Sequence, residues 1–186
     1  MSDSGVTIEQ WTHILLQRMG LPVRTVAVEA LIAWAACEGG GVKNSATFNP
    51  LNTTRRMPGS TSMNSCGVQA YTSLESGVIA TVQTLNLPPY FKIRVGLRGS
   101  TDPDAILTEV SHSPWGTHPH WSALSLQKYG AQKLRGPVDT ATPVAHPVLS
   151  IGMHGEQVRM LQEVLAVRLA TAAALDTDGV FGPQTR

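Results

Sequence analysis

Ala30-Leu-Ile-Ala-Trp-Ala-Ala-Cys37 is the longest apolar run in the chain, and it ends on Glu38 followed by Gly39, Gly40 and Gly41. Thr25 to Cys37 or Glu38 reads as a helix, with Thr25 as N-cap and Gly39 just past the C-terminus, where glycine's tolerance of left-handed backbone ends a helix. Apolar residues on nearly every face mark that helix as central and buried. A carboxyl delivered by such a helix into a glycine-rich opening is a candidate general acid. Burial and the negative end of the helix both disfavour the charged form, as a proton donor requires. Glu38 breaks the local apolar rule, and sequences do that most often at functional sites.

On the N-terminal side, Thr7-Ile-Glu-Gln10 fits a capping box, and Ile8, Trp11 and Leu15 form one face of an amphipathic helix ending near Gly20. On the C-terminal side, residues 39–73 are rich in Gly, Ser, Thr, Asn and Pro, with turn signals at Asn49-Pro50 and Pro58-Gly59-Ser60. A loop of that length is uncommon unless it is functional or holds short strands. Gly67-Val-Gln-Ala-Tyr71 is expected to be such a strand. Further helices are expected over Glu75–Leu87, Tyr90–Leu97 and Pro103–Val110, the last capped by Asp102, with a short one over Ser122–Tyr129. Residues 134–147 hold three prolines and no apolar periodicity, which reads as a linker between a domain of residues 1–133 and a small module of residues 148–186.

Composition narrows the function classes. Charged residues make up 15% and hydrophobic ones 42% of the 186, which describes a folded chain with long loops. A net charge of +1 gives no bulk attraction to nucleic acid or to an anionic membrane. No arginine-rich stripe with interleaved aromatics appears, so nucleic-acid binding is not expected. The apolar run from Ala30 to Cys37 is far too short to span a bilayer, so no membrane insertion is expected. Met1 to Gly5 lacks the basic and apolar segments of a secretory signal. Cys37 and Cys66 do not make a disulfide framework and read as free thiols of a protein made in a reducing compartment.

Two resemblances follow from particular motifs. Leu149-Ser-Ile-Gly152-Met-His-Gly155-Glu-Gln-Val158, then Leu161-Gln162-Glu-Val-Leu165 and Asp178-Gly-Val-Phe-Gly182, look like part of a common peptidoglycan-binding module. The larger part, residues 7–117, resembles the lysozyme-like muramidase domains of actinobacterial-phage lysins, both endolysins and tail-associated lysins. The residues that carry this are Trp34-Ala-Ala-Cys-Glu38-Gly-Gly, Asn49-Pro-Leu-Asn-Thr-Thr54, Gly67-Val-Gln-Ala-Tyr71, Gly77-Val-Ile-Ala-Thr81 with Thr84-Leu85, and Ser113-Pro-Trp-Gly-Thr117. The resemblance implies a mainly α, lysozyme-like α+β domain whose long loop or short hairpin walls a cleft, followed by a truncated helical module. In such folds a catalytic glutamate ends a core helix, and Glu38 alone holds that position here.

The implied function is a phage-type glycosidase, a muramidase or lytic transglycosylase, that cleaves the glycan strands of bacterial peptidoglycan without cofactor or metal. It would be made in the host cytoplasm and act on the wall after release, or travel on a virion beside tail proteins. The alternative is a non-catalytic wall-binding or virion structural protein on the same scaffold. Glycosidases usually place two acids across the scissile bond. Glu75 is the candidate second acid, ahead of Asp102, Asp104 and Glu109, although a first-turn glutamate also complements a helix dipole. The resemblance allows a single glutamate assisted by the substrate's N-acetyl group. Asn49, Asn52, Thr53 and Thr54 offer groups for sugar hydroxyls, against a plain role in turn chemistry. Tyr71 and Trp115 are candidates for stacking on pyranose rings, against core packing. His112, His118 and His120 raise a zinc amidase reading, but they lack helical metal-ligand spacing and read more simply as loop residues.

Overall fold

The computed structural model describes residues 5–39 and 45–136, together with Gly152, His154, Gly155, Val158, Arg159, Gln162 and Val180. The chain divides into two compact units, residues 1–139 and 140–186.

The first unit is built around α2, Thr25–Cys37, in which eight residues from Ala27 to Ala35 are buried. Helices α1 (Ile8–Arg18), α4 (Phe91–Gly99), α5 (Pro103–Ser111) and α6 (Ala123–Tyr129) all pack on it. Helix α3, Leu74–Leu85, packs on α1 and α4. No helix among the described residues is long and apolar enough to cross a membrane. The apolar face of α1 (Ile8, Trp11, Leu15, Leu16) meets α2, and Leu51, Val78, Leu85, Ile93, Leu97 and Val110 close the core from the other elements. The mainly α architecture expected from the sequence is present.

Local chemistry explains most element ends. Thr7 and Gln10 make the reciprocal capping box of α1. Asp102 caps α5 through the Asp104 N–H, with Pro103 opening the helix. Thr25 is not the N-cap of α2. Arg24 is, in extended backbone and without a side-chain cap, since a guanidinium has no acceptor to offer a helix N–H; it donates instead to the Arg98 carbonyl at the end of α4 (3.3 Å). The expected strand shortens to β2, Gln69–Ala70, antiparallel to β1, Thr61–Ser62, which gave no sequence signal. Pro88–Tyr90 forms a 3-10 turn, so α4 starts at Phe91 and not at Tyr90.

Residues 134–136 were expected to open the linker, yet they close the first unit. The Leu134 side chain joins the core and its N–H donates to the Val6 carbonyl (2.9 Å), while the Arg135 carbonyl accepts from the Phe48 N–H (2.9 Å). The remainder of that stretch lies outside the described residues. In the second unit, Val158 and Gln162 are buried, Gln162 Nε2 donates to the Val180 carbonyl (2.9 Å), and His154 bridges to Val180. Leu149, Leu161, Leu165, Asp178 and Phe181 lie outside the described residues.

Candidate active site

Glu38 is the C-cap of α2. Its N–H donates to the Trp34 carbonyl (3.1 Å), and Gly39 follows in left-handed backbone at φ +108°. The carboxyl does not project into bulk water. Asn52 Nδ2 donates to Glu38 Oε2 (2.9 Å) and to the Glu38 main-chain carbonyl (3.1 Å), which fixes the side chain at two points. The other oxygen, Oε1, is shielded from solvent and has no hydrogen-bond partner among the described residues. Buried polar atoms are rarely left unmatched, and each exception calls for a reason.

Asn52 reaches Glu38 because the loop before it is over-determined. Asn49 is fully buried. Its Nδ2 donates to the carbonyls of Thr53 (2.8 Å) and Gln69 (2.7 Å), and its Oδ1 accepts the Thr53 N–H (2.9 Å). Leu51 is locked in the core, so Asn52 is thrust outward at φ +56°, a left-handed conformation that asparagine tolerates better than most residues. Phe48 lies at φ +53°, where a bulky residue is a genuine outlier. Gly77 permits it, since a Cβ there would sit 2.0 Å from the Phe48 carbonyl oxygen.

A third piece of chain completes the neighbourhood. Trp115 Nε1 donates to the Leu51 carbonyl (3.1 Å), and its ring meets Trp34 edge-on at 4.7 Å and Tyr90 at 5.5 Å. Two residues on, Thr117 Oγ1 is also buried and unmatched, as is Trp34 Nε1. The His118 main chain lies beside the Cys37 thiol. Burial raises the Cys37 thiol above its ordinary value, the adjacent Glu38 adds to this, and the His118 contact opposes both. Among the described residues, three of the four unmatched buried side-chain atoms, on Trp34, Glu38 and Thr117, therefore lie on the last turn of α2 and the loop laid beside it; the fourth is Trp11 Nε1 on α1.

Other candidate residues have different jobs. Asn49 has no group left facing solvent and is the loop's internal tie. Thr53 is buried and its hydroxyl donates to Thr84 Oγ1 (2.9 Å), which itself donates to the Ala80 carbonyl (2.8 Å). Tyr71 is buried between Phe48 and Ala80 and donates to the Arg55 carbonyl (2.7 Å), so it presents no face to a sugar. Burial pushes its phenol up to about 12, with Thr53 and Arg55 opposing. Trp115 is half-buried in the aromatic stack, and Thr54 is exposed.

Glu75 is on the first turn of α3, ion-paired at the surface with Arg18 of α1 (2.8 Å), and has no contact with Glu38 or Asn52. Asp102 caps α5, Asp104 accepts the Trp121 N–H (2.9 Å) and Glu109 faces Lys92. His112, His118 and His120 do not join a group of three or more metal-ligating side chains among the described residues. Cys37 and Cys66 are free and exposed.

Trp34, Thr117 and Cys37 were not singled out from the sequence as neighbours of the acid. The spacing of Trp34 four residues before Glu38, which puts both on one helix face, was the available signal. No protein-family model, no curated protein and no solved structure matches this chain.

Proposed function

We propose that the first unit is a peptidoglycan glycosidase, a muramidase or lytic transglycosylase of lysozyme-like kind, with Glu38 as its general acid. The observation that carries this reading is the Glu38 carboxyl itself, clamped through Oε2 by Asn52 while Oε1 stays buried and unmatched. With Oε2 accepting the amide, a proton on the carboxyl resides on Oε1. From there it passes to the glycosidic oxygen as the C–O bond breaks and the leaving sugar departs as an alcohol. Burial shields Oε1 from solvent.

The four other acids considered as partners all have separate structural engagements. That favours assistance by the substrate's own N-acetyl oxygen over a second protein carboxylate. The C-terminal motif, with its resemblance to a wall-binding module, supplies the matching target. That none of these four lies beside Glu38 also favours the non-catalytic wall-binding reading. Mass spectrometry of purified peptidoglycan after incubation separates these readings. New reducing ends mean hydrolysis, anhydro-sugar ends mean transglycosylation, and the absence of both, despite tight wall binding, replaces the enzyme by an adhesion protein.

A further inference from the structure

The structure carries a cavity of about 380 Å³, open to solvent, that is not at Glu38. The 3-10 turn and the start of α4 form one wall through Pro88, Pro89, Phe91 and Lys92, and the end of α5 forms the other through Glu109 and His112. We propose that this cavity is a second saccharide subsite, taking an N-acetylated pyranose of the same glycan strand. The proposal rests on the reading of Glu38 as a glycan-cleaving acid.

Its chemistry fits a neutral polyol with apolar faces. Phe91 is 58% exposed, which leaves an aromatic ring at the cavity wall, and Arg94 lies 5.8 Å from its ring centroid and helps fix the ring plane. Pro88 and Pro89 hold the wall rigid, so little conformational freedom is lost on binding. Lys92 Nζ and Glu109 Oε2 stand 3.9 Å apart, longer than a charge-assisted hydrogen bond. They therefore keep a donor and an acceptor side by side for neighbouring hydroxyls. Their charges cancel locally, so the pair itself selects neither an anionic nor a cationic ligand. The volume falls at the small end of ligand sites, as suits a sugar unit and not a folded partner.

The cavity is also joined to the proposed acid. Tyr90 follows Pro89 directly, and its ring touches Trp115 at 5.5 Å, which touches Trp34 at 4.7 Å, one helical turn before Glu38. These rings join the cavity wall to the end of α2 through packed side chains, with Trp34 itself buried.

The test is a nitrogen-15 NMR titration of the full chain with tetra-N-acetylchitotetraose, repeated with Phe91→Ala and with Lys92→Ala/Glu109→Ala. The amides of Phe91, Lys92 and His112 should shift saturably, and Phe91→Ala should weaken binding about tenfold, the loss usual for an aromatic anchor. Both variants alter side chains outside the core and should keep the wild-type spectrum elsewhere. Shifts confined to Trp34, Glu38 and Asn52, no shifts at all, or equal affinity in Phe91→Ala would each overturn the subsite. So would a free stem peptide moving these amides where the oligosaccharide does not. Wall cleavage by the wild type against Glu38→Gln, scored separately, decides the Glu38 reading whichever way the titration falls.

Discussion

Replacing Asn49 by Ala tests whether this residue is the loop's internal tie or a sugar ligand. The side chain makes three hydrogen bonds at 2.7–2.9 Å, none of them to a group at the surface. At about 1 kcal/mol each, their loss costs about 3 kcal/mol. The Thr53 carbonyl retains the Gln69 N–H (3.2 Å), which limits the penalty for stranded groups. For a chain of this size that corresponds to a fall in Tm of about 6–12 °C, read by circular dichroism at 222 nm. Because the tie positions Asn52, wall cleavage should fall as well, and the two losses should travel together. A variant with unchanged Tm and weakened saccharide binding would refute the assignment and return Asn49 to the ligand-contact role.

Other expectations bear on the same site. Asn52→Gly meets the left-handed backbone while deleting the clamp on Glu38, so cleavage should drop about tenfold to a hundredfold with little change in Tm; equal activity would show the clamp to be idle. Gly77→Ala should destabilise by about 1–3 kcal/mol despite the better helix propensity of alanine, because the added Cβ meets backbone and not a flexible side chain; a raised Tm contradicts the close approach. Glu38→Gln removes the negative neighbour that helps raise the Cys37 thiol, so the pH profile of Cys37 alkylation by iodoacetamide should move to lower pH; a stationary profile denies the contact. The Tyr71 phenol, held up to about 12 from 10.0, favours the folded chain fully below pH 10, and that contribution disappears as pH rises through about 12. Tyr71→Phe should flatten this alkaline loss in urea unfolding measured against pH.

What the sequence made legible follows physical range. Capping chemistry and helix periodicity act over a few residues, and they placed α1, α2 and α5 nearly to the residue. The N-cap of α2 falls one residue before Thr25, on Arg24, whose side chain is held on α4 by a contact 74 residues away in sequence. Strand β1 is two exposed residues long and has no pattern to read. Glu38 stood out because an acid ending an apolar helix is a local contradiction. Its partner Asn52 was named only as one of several loop polars. Asn49 and Asn52 carry the same amide, and only the burial of Leu51 between them sends one inward and the other to the acid. Tyr71 and Trp115 posed the same ambiguity, since an aromatic ring serves a core as readily as a sugar.

Lysis of purified peptidoglycan by the wild type and by Glu38→Gln, at matched concentration and with matched unfolding curves, bears most directly on the proposed chemistry. The amide keeps the shape and can still meet Asn52, but it has no proton to give, so fragment release should fall by about two to four orders of magnitude. Release at the wild-type rate would mean that no proton passes through Glu38.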